Sequence, residues 1–171
     1  MPRIAIIGAG VVGLATAWRL AARGATVDVF DAGSTTFRRE DLRRGFEPDG
    51  CFYIRHERRI RGKQRIDLTV DPPPDLVIEV DVTSTSLDKL PIYAQIGVPE
   101  VWRHDGETPA ILRLEGERYG IATASWVLPP LTADVLSDFV AASRARGRTV
   151  WMRAVRAWAR RHRHAAGGPP A

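Results

Sequence analysis

One short stretch of the chain limits the available folds more than any other: residues 72–81 read PPPDLVIEVD. The three prolines impose extended backbone and end any element before them. Residues 76–82 are apolar and mostly β-branched apart from Glu79 and Asp81, which favours a strand. Strand alternation places these two acids on one face, and a buried charge needs a partner. Either this face lines a cleft that uses both carboxylates, or the strand lies at a sheet edge and they face solvent.

A third carboxylate and a lysine accompany this strand. The segment FEPD places Asp49 immediately before a predicted strand over residues 51–54. If the two strands are neighbours, Asp49 joins Glu79 and Asp81, and carboxylate oxygens are the preferred ligands of Mg²⁺ and Mn²⁺. Lys89, one of only two lysines, follows on a predicted helix, where it can position water for metal-assisted phosphodiester hydrolysis. The alternative is that Lys89 is a solvated helix residue.

The start of the chain has a different pattern. Two predicted strands, over residues 4–7 and 25–30, flank a glycine-rich turn and a helical segment, and an acid follows them: Gly8, Gly10, Gly13 and Asp31. The glycines of such a turn admit a pyrophosphate, and the acid binds a ribose hydroxyl. The segment resembles the opening of the FAD-dependent amino-acid-oxidase-like family. Because one βαβ unit lacks the other half of a dinucleotide site, we predict a vestigial turn that binds no FAD.

The rest of the chain alternates strand-like and helix-like segments, which predicts an α/β fold. Strands are predicted over 51–54, 76–82 and 99–104, a hairpin over 110–114 and 117–122, and helices over 87–96, 132–146 and 150–163. Residues 55–65 are predicted as a polar connection. We divide the chain into a grafted βαβ fragment, a main domain and a disordered tail, over residues 1–33, 34–163 and 164–171.

Composition excludes several classes of protein. Apolar residues make up 44% and charged residues 26% of the chain, as in ordinary globular domains. The single cysteine, Cys51, rules out an internal disulfide and a four-cysteine zinc site, and fits a reducing cytoplasm. No apolar stretch is long enough to span a membrane. Cys51 is interpreted as a small buried residue, and His56 and His104 as loop or surface groups.

The net charge of +5 is unevenly distributed. The segment from Phe139 to the end contains eight arginines and no acid, and a second group of basic residues lies within residues 55–65. Arginines of this kind bind the phosphates of nucleic acids, although a run of charge is more often a solvated surface. Both segments are therefore candidates for contact with DNA.

Four phrases taken together, FEPD, PPDLVIEVD, IYAQIGVPEVWR and WMRAVRAW, carry a second resemblance. Over residues 34–160 the chain resembles the Uma-two family of PD-(D/E)xK, restriction-endonuclease-like proteins. The resemblance implies an α/β fold with an αβββαβ core, a mixed central sheet and flanking helices. It implies Asp49 and Glu79 as metal ligands and divalent-metal-dependent cleavage of DNA, for which we expect Mg²⁺ or Mn²⁺. From its place on the same face of the strand, we add Asp81 as an auxiliary ligand.

Two departures from the family pattern leave alternatives open. The third position of (D/E)xK is Asp81 where the family class has lysine, so Lys89 is the candidate to replace it. The family's own N-terminal segment is missing, so either the domain is truncated and inert, or residues 11–23 and 25–30 replace its first helix and strand. The rival functions are an FAD-dependent oxidoreductase and a catalytically inactive DNA-binding or interaction domain. DNA is the expected partner, and both a monomer and a homodimer stay open.

Overall fold

A computed structural model describes residues 3–7, 26–30, 37–39, 44–46, 48–63, 66–81 and 89–162. The strands are β1 (Arg3–Ile7), β2 (Thr26–Phe30), β3 (Phe37–Arg39), β4 (Arg44–Phe46), β5 (Gly50–Tyr53), β6 (Leu76–Val80), β7 (Glu100–His104), β8 (Pro109–Glu115) and β9 (Arg118–Ala122). The helices are α1 (Glu57–Ile60), α2 (Leu90–Ile96), α3 (Ala133–Ala145) and α4 (Arg148–Arg161).

Seven of these strands form one mixed sheet in the order β2–β1–β5–β6–β7–β8–β9, and β3 and β4 form a separate antiparallel pair. Strands β1 and β2 are parallel, as are β6 and β7, whereas the other neighbours are antiparallel. A parallel pair cannot be closed by a tight turn, and the connection from β6 to β7 contains α2. The order β1, β5, β6, α2, β7 is the βββαβ part of a restriction-endonuclease-like core.

Local sequence signals explain the boundaries of the elements around this core. Helix α2 has a proline in its first turn and ends at Gly97, whose φ of 80° is the left-handed cap conformation that glycine adopts without strain. Helix α3 starts after Thr132, whose hydroxyl accepts the N–H of Val135. The turn between β8 and β9 contains Gly116, with a φ of 64°. These signals fix where α2 ends, where α3 begins and where the chain turns from β8 to β9.

The two faces of the sheet bury different clusters of side chains. The face that contacts α2 buries Cys51, Tyr53, Ile60, Val77, Tyr93, Ile96, Val98 and Val101. The opposite face buries Phe52, Leu76 and Val127, with Ile54, Ile78, Trp102 and Trp126 packed on them. Because side chains alternate along β6, Glu79 shares the α2 face with Val77. Helix α3 packs on β8, and α4 packs on α3.

The predicted fold class is confirmed, with three differences in detail. In one of the two alternatives left open, residues 25–30 replace the first core strand, but it is β1 that pairs with β5, with Ile6 opposite Phe52, and β2 lies outside it at the edge. Helix α1 occupies part of the segment predicted as a polar connection. The pair β3–β4 was not predicted. Gly8, Gly10, Gly13, Asp31, the segment 11–23 and the tail 164–171 lie outside the described residues.

Candidate active site

Glu79 is the most deeply buried acid of the strand that suggested a site. It is 2% exposed, although it carries a carboxylate in an apolar strand. Its Oε2 accepts a hydrogen bond from Lys89 Nζ at 2.8 Å, and its Oε1 accepts one from the Tyr93 hydroxyl. Both donors come from α2, because Lys89 is its N-cap and Tyr93 lies in its body. The helix therefore supplies the hydrogen-bond partners that offset the free-energy cost of burying this charge.

The protonation states of Glu79 and Tyr93 follow from their burial and from nearby charges. Burial is the strongest influence on Glu79 and raises its pKa, the hydrogen bonds from Lys89 and Tyr93 lower it, and the charge of Asp49 raises it again. The net result is a raised pKa. Burial, followed by the contact with Glu79, raises the pKa of Tyr93 far above its ordinary value. The Tyr93 hydroxyl therefore keeps its proton and serves as a fixed donor.

Asp49 lies beside Glu79 across the antiparallel pair β5–β6. The register places Gly50 opposite Ile78 and Cys51 opposite Val77, and Asp49 immediately precedes Gly50. The charge of Asp49 is close enough to act on the pKa of Glu79. The Asp49 Oδ2 also accepts the N–H of Val80 at 2.7 Å. An exposed and a buried carboxylate thus stand next to each other at the end of β6.

Asp81 follows β6 and has a cationic partner. Its Oδ2 accepts hydrogen bonds from Arg103 Nε at 2.8 Å and is 2.6 Å from Arg103 Nη2. Arg103 lies opposite Glu79 in the parallel register of β6 and β7, so it shares the α2 face. The position where the (D/E)xK pattern has lysine therefore carries an acid that pairs with an arginine of the next strand.

The carboxylates near the end of β6 have the oxygen chemistry that small hard cations prefer. Within the described residues, no group of three or more His, Cys, Asp or Glu side chains is arranged to hold a metal ion. Mg²⁺ typically keeps several waters and binds through one or two carboxylates together with phosphate oxygens of the substrate. Asp49 and Glu79 are the candidates for such a pair; the Glu79 oxygens accept from Lys89 and Tyr93, and the Asp81 carboxylate is paired with Arg103.

Asp75 is a buried acid that sequence reasoning missed. Its carboxylate is fully buried, and Oδ2 accepts the N–H groups of Ile54, Arg55 and His56 at 2.6, 2.8 and 3.1 Å. The other oxygen, Oδ1, lies 2.7 Å from Nδ1 of His56. Asp75 therefore holds the chain where it leaves β5. The only available signal was an acid between prolines and an apolar strand.

Glu100 is a second buried acid with a structural role. Oε1 accepts hydrogen bonds from Trp102 Nε1 and Ser125 Oγ, both at 2.6 Å. Oε2 accepts the N–H of Trp126 at 2.6 Å. One carboxylate thus ties the start of β7 to the segment before α3, at a sequence separation that no local pattern reveals.

The other candidates are engaged in structural contacts. The guanidinium of Arg55 stacks 3.7 Å from the ring centroid of Trp126, Arg61 pairs with Glu57, and Lys63 pairs with Asp71. Three members of the basic segment 55–65 are therefore already partnered. Cys51 is buried, and burial raises the pKa of its thiol to about 12, so it is unsuited to act as a nucleophile.

The mixed sheet and the acids at the end of β6 define a restriction-endonuclease-like α/β domain. A scan against protein-family models matches residues 8–140 to the Uma2 family, described as "Putative restriction endonuclease". The match covers more than half of the chain, and the chain belongs to this family. Because the match starts at residue 8, it includes the glycine-rich segment interpreted as a flavoenzyme fragment, and nothing in the comparisons supports FAD binding.

Searches of curated proteins and of solved structures found no significant match. Among the helices of the described residues, none combines the length and the apolar character needed to cross a membrane.

Proposed function

We propose that this protein is a DNA endonuclease that depends on Mg²⁺ or Mn²⁺. The observation that carries the proposal is the buried Glu79 carboxylate, which accepts a hydrogen bond from Lys89 and lies near Asp49 at the end of β6. A strand rarely buries an acid unless its partners are arranged around it. Family membership supports a nuclease of the restriction-endonuclease-like class and DNA as its substrate.

Each side chain of the site has a role that follows from its contacts. Asp49 and Glu79 would hold the cation, which stabilises charge on a phosphodiester and lowers the pKa of a bound water. Tyr93 orients Glu79, because its hydroxyl donates to one carboxylate oxygen and keeps its proton. Arg103 neutralises Asp81, so that one acid fewer repels the substrate phosphate.

Lys89 is the proposed replacement for the lysine that is missing at position 81. Its side chain is 35% exposed, while the Glu79 carboxylate to which it bonds is 2% exposed. The ammonium group therefore links the buried acid to the surface at which a phosphodiester arrives. From there it can donate a hydrogen bond to an attacking water or to a phosphate oxygen.

The test is the conversion of supercoiled plasmid to open-circular and linear forms in Mg²⁺, Mn²⁺ or EDTA. We expect the wild type to cut only with metal, and Asp49→Ala and Glu79→Ala each to abolish cutting. Glu117→Ala is the matched control, because Glu117 is an exposed acid in the β8–β9 turn. Circular dichroism checks that each variant is folded. Undiminished cutting by Glu79→Ala would remove the site assignment.

An inactive DNA-binding domain is the second candidate, and one observation favours it. Asp81 stands at the position where the (D/E)xK motif has its lysine. Its carboxylate pairs with the guanidinium of Arg103, so no lysine ammonium group lies at that position. The distinguishing result is a wild-type protein that binds Mn²⁺ and DNA but never cuts. Cutting gained by Asp81→Lys in the same assay would identify a disabled nuclease.

A further inference from the structure

The candidate active site opens at one edge of the sheet, which can be located from backbone contacts. Strands β6 and β7 are parallel, so their carboxyl ends lie at the same edge. Just beyond them, the N–H of Asp81 donates to the carbonyl oxygen of His104 at 2.8 Å. The loop after β7 stays close, because a Cβ placed on Gly106 would lie 3.5 Å from the Asp81 carbonyl oxygen.

The end of α3 reaches this same edge. Arg144, in the last turn of α3, donates from Nη2 to the carbonyl oxygen of Gly106 at 2.9 Å. The same nitrogen lies 3.2 Å from Nε2 of His104. The junction between α3 and α4, which we define as residues 144–148, is therefore attached to the loop that follows β7 and lies beside the Asp81 backbone.

The charge of this junction is unbalanced. Arg146 and Arg148 are exposed, and neither takes part in an ion pair with the described part of the chain. Helix α4 has Gly147 as its N-cap, no acid in its first turn, and Arg148 as its first residue. Positive charge at a helix N-terminus opposes the helix dipole. An anion bound at the junction would offset the unfavourable interaction of Arg148 with the helix dipole and the repulsion between the arginines.

The other basic segments differ from the junction in position and in pairing. Residues 55–61 follow the carboxyl end of β5, whereas Asp49 lies at its amino end. Within residues 55–61, Arg61 is paired with Glu57. Arg160 and Arg161 lie at the far end of α4, about 18 Å along the axis from Arg148 at 1.5 Å per residue. Of these three basic segments in the described part of the chain, the junction is the one attached to the edge of the sheet where β6 and β7 end.

We propose that the α3–α4 junction binds the phosphodiester backbone of double-stranded DNA next to the point of cleavage. Arg146 and Arg148 contact phosphates, because guanidinium groups form paired hydrogen bonds to phosphate oxygens. Arg144 holds the junction in place through Gly106 and His104. This inference rests on the proposed function, since it assigns the surface that presents DNA to that site.

The experiment measures binding of a fluorescent 20-base-pair duplex as a function of salt, with EDTA present so that no strand is cut. Arg146→Ala/Arg148→Ala is compared with Arg160→Ala/Arg161→Ala, which removes the same charge from the far end of α4. Two lost phosphate contacts lower the slope of log K against log salt by about 1.8, and affinity at 0.1 M salt falls on the order of 10- to 60-fold. The control double variant, Arg160→Ala/Arg161→Ala, is expected to show a much smaller change in the salt slope and in the affinity.

Two results would overturn the inference. Equal losses in the two double variants would show that the junction contributes only general charge, and a larger loss in the control pair would place the DNA along the far end of α4. Tighter binding to an RNA duplex of the same sequence would overturn the choice of DNA. A wild type that never cuts plasmid, yet binds DNA through the junction, would contradict the nuclease assignment and leave the docking surface intact.

Discussion

Substitution of Asp75 by alanine should be strongly destabilising, although Asp75 lies outside the apolar core. The carboxylate accepts three backbone N–H groups at 2.6 to 3.1 Å through one oxygen and lies 2.7 Å from the His56 ring through the other. Each buried donor left without an acceptor costs about 1–3 kcal/mol. These donors are only partly buried and water can enter the space, so we expect a total loss of about 3–5 kcal/mol.

The loss would be a large fraction of a typical unfolding free energy of about 5–15 kcal/mol. Urea denaturation followed by tryptophan fluorescence measures it, and the denaturant slope should be unchanged if only stability is affected. Asp75→Asn keeps one oxygen acceptor and should lose about half as much. Asp138→Ala, at an exposed position of α3, should change stability by less than about 0.5 kcal/mol. A loss below about 1 kcal/mol for Asp75→Ala would refute the role assigned to this carboxylate.

Three further predictions concern single side chains. Cys51, buried and with its thiol pKa raised to about 12, should resist a thiol reagent until the protein unfolds, and rapid labelling of native protein would contradict its burial. Burial raises the pKa of Asp71, but hydrogen bonds from Lys63 and from the N–H of Asp67 outweigh it and bring the pKa below its usual 3.8. Asp71 therefore contributes stability above pH 3.8 that is lost as pH falls through its folded-state pKa, and Asp71→Asn should flatten this acid limb in denaturation curves. An unaltered limb would show that Asp71 does not titrate there. Lys89→Ala should slow plasmid cutting on the order of 10²-fold or more while Mn²⁺ affinity is retained, and unchanged cutting would exclude Lys89 from catalysis.

The fold could be predicted where local signals act alone. Glycine at a left-handed cap, threonine at a helix start and the alternation in β6 are short-range features, and they located α2, α3 and β6 to within a few residues. The choice of β1 as the neighbour of β5 could not be made in this way. That pairing joins segments more than 40 residues apart, and both β1 and β2 have strand-like sequences.

The same limit applies to the candidate site. The sequence singled out Glu79 because a carboxylate in an apolar strand is unusual. Its partner Tyr93 and the pairing of Asp81 with Arg103 depend on the packing of α2 and on the register of β6 and β7. The role of Asp75 depends on backbone groups about 20 residues away. Residue type indicates which acids are candidates for a site, and only the tertiary contacts distinguish a structural acid from a candidate ligand.

The most direct test of the proposed metal centre is the binding of Mn²⁺ by electron paramagnetic resonance, titrated into purified protein. One ion per chain is expected for the wild type, because Asp49 and Glu79 lie near each other at the end of β6 and are proposed as one pair of ligands. Asp49→Ala and Glu79→Ala should each abolish this binding, and Glu117→Ala should retain it. Wild-type protein that binds no Mn²⁺, or Glu79→Ala that binds it with unchanged affinity, would contradict the assignment of this site as a metal centre.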